Sequence, residues 1–393
     1  MSNVVRSRIR LIGLVTVLAM AGGCAQKTPP PPVSSGRPLV MDLDLAVKQI
    51  AADLSKQLGA TQDRALTLDP LLDRTTGQQT AASRRAQELL APALTDAMPG
   101  ATVQSMDQLP AESTGLVVTG SIGLAQPGSE QYVLTVALTD RSTGVVVAQA
   151  AGRFTESAMD GTPTAFYSDS PSLVRDRSVE GYLKTAETPK GTLADPLYVE
   201  QLPTSALIAS AIAEYEAGRW EPALAGYTAA AARPDGQTLR TFNGLYLTNV
   251  HLGRMADAEA AFGKIVALGL STNNLAVKLL FRPGTTDFIS DASVNQVYPV
   301  WLRQIARGAS ASRACLRIVG HTSASGTPAV NDPLSLARAE AVRARLLREV
   351  PALDTRLQVK GVGSRENIVG TGADDASDAV DRRVEFDIEA CAQ

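Results

Sequence analysis

Arg338 is the side chain in this 393-residue chain best placed by its neighbours to hold an anion. It follows a run of hydroxyls, glycines and backbone amides that includes Gly320, Thr322, Ser323, Gly326 and Thr327, and it stands near the start of a helix. A guanidinium offers planar donors that meet a carboxylate in pairs, and a helix N-terminus favours negative charge. The chemistry expected is recognition of a carboxylate. Read alone, an arginine near a helix start is more often a solvated side chain, so the wider pattern has to decide.

Reactive groups are sparse elsewhere. His251 and His321 are the two histidines and lie far apart in the chain. No nucleophile elbow, phosphate-binding loop or zinc-protease motif occurs. No catalytic residue, metal or cofactor is therefore expected, and enzyme is the least supported class.

The elements that must position Arg338 follow from periodicity. Apolar residues alternate from Cys315 to Val319 and predict a strand. Asp332-Pro333 predicts the start of a helix, with a capping side chain and a proline at its first position. Leu336, Ala339, Val342, Leu346 and Val350 form one apolar stripe along it, and Arg338 is expected off that stripe.

Gly320-His321-Thr322, Gly326, Asn331, Leu334-Ser335 and Arg338-Ala339, followed by Lys360-Gly361-Val362-Gly363 and Arg382-Arg383-Val384-Glu385, resemble the OmpA-like C-terminal domain, the module that ties envelope proteins to peptidoglycan. The resemblance covers residues 275–391 and implies a βαβαββ sandwich. It also implies a site for the diaminopimelate of the stem peptide, made here by Thr322, Ser323, Asn331, Arg338 and the late arginine, Arg382 or Arg383. Ser323 stands where the family has an aspartate. Loss of a charge-assisted hydrogen bond there would cost about 1.5–3 kcal/mol. Asp381 replaces a usual asparagine and Ser377-Asp378 a usual glycine-arginine pair, so Asp332, Asp375 and Asp381 are candidates for the missing negative charge. His321 is expected to be structural or to line the ligand.

At the other end, Arg6, Arg8 and Arg10 precede an apolar run that ends in Ala21-Gly22-Gly23 before Cys24. That layout predicts a secretory signal over residues 1–23. Its boundary cysteine resembles that of bacterial lipoproteins, which implies acylation of Cys24, with palmitate among the chains, and, because Ala25 follows, the periplasmic face of the outer membrane. Residues 24–38 form a Pro-rich tether. Removing the signal takes the formal charge from −3 to about −6, which leaves no basic footprint for nucleic acid. In an exported protein Cys315 and Cys391 are expected either as a disulfide across adjacent antiparallel strands or as two separate small hydrophobes.

Residues 39–154 predict an α/β domain with a largely antiparallel sheet. Helices are expected from Leu43 to Leu58, stopped by Gly59, and over residues 83–98. Strands are expected near Thr102, Leu116, Tyr132 and Val145. Val117-Val118-Thr119-Gly120-Ser121-Ile122 and the Asp140 to Gly144 turn resemble the FlgO, CsgG and LpoB type of lipoprotein domain, which implies protein partners in the envelope. Residues 155–203 read as a linker. Within 204–270, Gly218-Arg219-Trp220, Ala223 and Tyr227 recur 35 positions later as Gly253-Arg254-Met255, Ala258 and Phe262. This resembles a pair of tetratricopeptide repeats, all-α and too short to be stable without a neighbour.

The order of features predicts a non-enzymatic lipoprotein joining outer membrane and peptidoglycan. The alternative is a periplasmic scaffold or regulator of a wall synthase, secretion or motility complex, with weakened or lost wall binding.

Overall fold

The computed structural model describes residues 41–59, 64–108, 115–126, 129–156, 159–282, 284–288, 292–312, 315–370, 372, 378, 381–389 and 391. The signal, Cys24, the tether and Asp375 lie outside them. The first domain opens with α1 (Leu43–Leu58), whose N-cap Asp42 accepts from the Leu45 amide at 2.8 Å. Gly59, at φ 73°, closes it. The second helix, α2 (Ala81–Ala97), begins two residues earlier than expected, because Thr80 and Ser83 cap each other's amides.

The sheet of this domain is mixed. Its long strands β4 (Leu116–Leu124), β5 (Gln131–Asp140) and β6 (Val146–Thr155) pair antiparallel, as the hairpin pattern predicted. Three short strands add parallel pairings. β1 (Ala65–Leu68) lies between β3 (Thr102–Ser105) and β4, and β2 (Leu72–Asp73) pairs with β4. Residues 116–123 of β4 are buried continuously, the signature of a strand covered on both faces. Val118 joins the core under α1 and α2, whereas Val117 points into a second core with Val179, Tyr182 and Tyr198.

That second core corrects the linker expected over residues 155–203. The segment folds as α3 (Ala165–Asp169), α4 (Arg177–Glu187) and α5 (Pro196–Glu200), and α4 packs on the far face of β4 and β5. Tyr182 anchors it: its hydroxyl accepts from the Gly120 amide at 2.9 Å and bonds the Pro70 and Gly120 carbonyls. A doubly buried central strand requires this cover.

Four helices follow: α6 (Leu202–Glu216), α7 (Trp220–Ala231), α8 (Leu239–His251) and α9 (Met255–Thr272). Equivalent positions play equivalent parts. Gly218 and Gly253 turn at φ 72° and 71°, and Ala223, Ala258, Tyr227 and Phe262 are all buried. The neighbour this short stack needs is the C-terminal domain. Trp301 of α10 (Ala292–Ser312) stacks on Phe262 at 5.3 Å and donates to the Tyr246 hydroxyl at 2.8 Å. One hydrophobic core runs from the helices into that domain.

The C-terminal domain runs β7 (Ala276–Val277), α10, β8 (Cys315–Gly320), α11 (Pro328–Glu349), β9 (Leu357–Gly361) and β10 (Val384–Glu389), the expected βαβαββ order. Its sheet order is β7-β10-β8-β9. Residues 171–173 add to the β7 edge: Ser172 pairs with Val277, and the Leu173 amide donates to Ala276. A disulfide joins Cys315 and Cys391.

α11 begins at Pro328 with Thr327 as its cap residue, an earlier pair of the same kind as Asp332-Pro333, which lies inside the helix. This helix touches the sheet closely. A Cβ on Gly320 would meet the Ser335 carbonyl oxygen at 2.1 Å, and one on Gly361 the Leu336 nitrogen at 2.4 Å. Both obstacles are backbone, so the helix itself would have to move. Gly361→Ala is expected to destabilise the domain by about 2–3 kcal/mol. Urea unfolding followed by tryptophan fluorescence measures this, and an unchanged midpoint would contradict the close packing.

Candidate ligand site of the C-terminal domain

β8 delivers His321, Thr322 and Ser323 to the end of the sheet, where they are 1 %, 2 % and 5 % exposed. The backbone of this turn is stitched between the neighbouring strand ends. The His321 amide donates to Arg383 at 3.1 Å, and the Thr322 amide to Gly363 at 2.9 Å. Asn331 holds the turn from α11, its Nδ2 donating to the Ser323 and Gly326 carbonyls at 3.2 and 2.9 Å. Asn367 clamps it from above: with its amide oriented to suit its neighbours, it donates to Thr322 O at 2.9 Å and accepts from the Ala324 amide at 3.2 Å. Asn331 is thus a loop fastener.

Arg338 is not where its spacing predicted. The buried face of α11 consists of Asn331, Ser335, Arg338, Ala339, Val342 and Leu346, while Leu336 is 38 % exposed. Arg338 is on the inside, 3 % exposed. Its Nε donates to Thr285 O at 3.2 Å and Nη2 approaches Arg282 O at 3.4 Å, and the guanidinium stacks 4.9 Å from the Phe281 ring centre. Arg338 therefore fastens the turn after β7 to the helix that faces the site. A helix packed against both the sheet and that turn buries one more residue per turn than a simple apolar stripe suggests.

Of the expected late arginines, Arg383 is 4 % exposed and Arg382 is half-buried with a partner. Arg383 donates from Nε to Glu385 Oε1 at 2.6 Å and from Nη2 to Glu366 O at 3.2 Å. His321 Nε2 lies 3.5 Å from the other oxygen of Glu385, at the limit of a hydrogen bond. Burial pushes the Glu385 carboxyl up, but His321 and Arg383 overcome that and hold it down at about 2. Because the folded value lies below the ordinary 4.5, this cluster stabilises the protein fully above pH 4.5, and the contribution fades as pH falls towards 2. Glu385→Gln is expected to remove about 3 kcal/mol at pH 7 and to flatten acid unfolding between pH 4.5 and 2. Parallel acid titrations of wild type and variant would refute this.

Two of the acids considered as replacements for the missing aspartate are already engaged. Asp332 forms two 2.6 Å contacts with Arg365. Asp381 is fully buried and accepts from the amides of Ile368, Val369 and Gly370 at 2.6, 3.2 and 2.7 Å. Other polar atoms of this region are left without a hydrogen bond. Thr322 Oγ1, Arg383 Nη1 and His321 Nδ1 are buried and have no partner among the described residues. Sequence reasoning missed the Glu385 carboxylate and the Asn367 clamp. The signal for the first was present in Arg383-Val384-Glu385, whose alternation places Arg383, just before β10, on the same side as Glu385 within it.

Residues 280–380 match the OmpA family, so this part of the chain is an OmpA-like domain. No curated protein matches the chain. Among solved structures, the chain is similar to the peptidoglycan-associated lipoprotein from Burkholderia pseudomallei, at 25 % identity over 28 % of this chain and 88 % of that one, with a TM-score of 0.25. It is also similar to the cell wall anchor of the T6SS from Pseudomonas aeruginosa, at 19 % identity over 33 % and 96 % of the two chains, with a TM-score of 0.26. A third is the periplasmic domain of Helicobacter pylori MotB, at 21 % identity over 30 % and 74 %, with a TM-score of 0.24.

Proposed function

We propose that this chain is a non-enzymatic lipoprotein of the cell envelope, anchored through Cys24 at the periplasmic face of the outer membrane and joined to peptidoglycan by its OmpA-like domain. The ligand is the diaminopimelate-type stem peptide. The observation that carries this reading is the set of buried atoms awaiting a partner around the Gly320-His321-Thr322 turn. Arg383 Nη1 is a cationic donor and Thr322 Oγ1 a hydroxyl, the groups a stem-peptide carboxylate would meet. The first domain and the helical stack, similar in pattern to tetratricopeptide repeats, face envelope proteins.

A second reading is favoured by two specific features. Ser323 is a neutral hydroxyl bonded to Ser325 at 3.1 Å, and Arg338 reaches backbone carbonyls of its own domain. Under this reading the domain is a scaffold with weakened wall affinity, serving a wall synthase, secretion or motility complex. Retention on purified sacculi separates the two. Under the first, Ser323→Asp strengthens binding roughly tenfold to a hundredfold, as one added charge-assisted bond would, and Arg383→Gln weakens it. Retention of all three proteins at background level would leave only the scaffold reading.

A further inference from the structure

A cavity of about 280 Å³ opens at the carboxyl ends of β1 and β3, far in sequence from the OmpA-like domain. In open α/β sheets ligands settle outside the carboxyl ends of parallel strands, where successive connections leave in opposite directions. β1 is such a point. The chain passes from β1 to β3 on one side and then to β4 on the other. α6 and α8 close the crevice, together with Tyr167 of α3.

The lining carries both signs of charge. Asp69, at the end of β1, is 5 % exposed and accepts the Tyr198 hydroxyl at 2.8 Å. Arg240 of α8 donates from Nη2 to Ser178 Oγ at 3.2 Å, but its buried Nε has no partner among the described residues. Glu216, at the end of α6, pairs through Oε2 with Arg84, and its buried Oε1 likewise has no partner among the described residues. Arg240 Nε and Glu216 Oε1 thus lack hydrogen bonds on residues that line one cavity, although the Arg240 guanidinium also lies against the Tyr167 hydroxyl and is compensated by Asp176 and Asp69. Buried atoms of this kind are unfavourable unless something fills them.

We propose that this cavity binds a small zwitterion of the α-amino acid class, its carboxylate on Arg240 and its ammonium between Asp69 and Glu216. An anion alone would face two carboxylates, and a cation alone would leave the Arg240 donor empty. The volume lies at the lower edge of ligand cavities, which run from about 300 Å³ upwards. That fits an amino acid better than a nucleotide or disaccharide. This site is independent of wall binding.

The test is calorimetric titration of the full mature chain with a panel of α-amino acids in both configurations, with propionate and ethylamine as single-charge analogues. At least one amino acid should bind at least tenfold more tightly than either analogue. Asp69→Asn, Arg240→Met and the cavity-filling Ala209→Met should each weaken that binding at least tenfold. Burial pushes the Asp69 carboxyl up to about 6, so its neutral isostere suits the site and the Asp69→Asn variant should fold. Thermal melting checks that each variant is folded. Absence of amino acid binding, equal binding of an analogue, or unchanged affinity in the folded Asp69→Asn and Ala209→Met variants would overturn the proposal and leave a water-filled cavity.

Discussion

Arg338→Ala is expected to destabilise the C-terminal domain by about 3 kcal/mol and to loosen residues 281–288 more than any other segment. The guanidinium supplies donors to the Thr285 and Arg282 carbonyls and a cation over Phe281. Truncation leaves those carbonyls short of a donor, at about 1–3 kcal/mol for a buried polar group, and removes a stacking contact of about 0.5–2 kcal/mol. Phe281 and Phe288 form a bridge across this turn, and Arg345 of α11 lies 4.3 Å over Phe288, so the turn is held to the helix at two points. Hydrogen exchange measured by mass spectrometry on peptides from 281–288 should show faster exchange in the variant. Unchanged exchange there, with unchanged melting, would mean that Arg338 is not a fastener. Loss of sacculus binding in this variant would therefore report on the shape of the site as well as on any contact.

The second large effect concerns Cys315 and Cys391. Replacing both by alanine, or reducing the bond, is expected to destabilise the domain by about 2–4 kcal/mol. The bond closes a loop of sequence separation 76 and pins the end of β10 beside β8, where Glu389 faces Cys315. Urea unfolding with and without reductant measures it. Coincident curves would show that the loop is held equally well without the bond.

The sequence was most legible where a local signal and a tertiary role coincide. Asp42 and Gly59 bracket α1, and the Asp140 carboxylate collects the Ser142 and Thr143 amides at 2.8 and 3.1 Å to make the predicted hairpin turn. The motif order of the C-terminal domain carried its fold in the same way. Legibility failed where burial is decided by distant elements. Phe166, Tyr167, Tyr182 and Tyr198 sit in a stretch rich in Ser, Thr, Pro and Gly with no helical or strand period, so nothing local marked them as core, yet all four are buried. β1 and β2 were missed, β2 because two residues are too few to display a period. Arg338 was misplaced for a related reason: an arginine read as lying near a helix start defaults to solvent, whereas Arg338 sits mid-way along α11 under the turn that packs over it.

The pairing of residues 171–173 with β7 bears on how the protein can be dissected. A fragment cut at the start of the OmpA-like domain would strip a hydrogen-bonded border from its sheet and bare the apolar side of α10 that α9 shields. Such a piece would offer an open strand and a sticky helix to its own copies, and self-association would follow. Binding measured on it would then partly reflect clustering. Fragments beginning before Ala165 retain both protections.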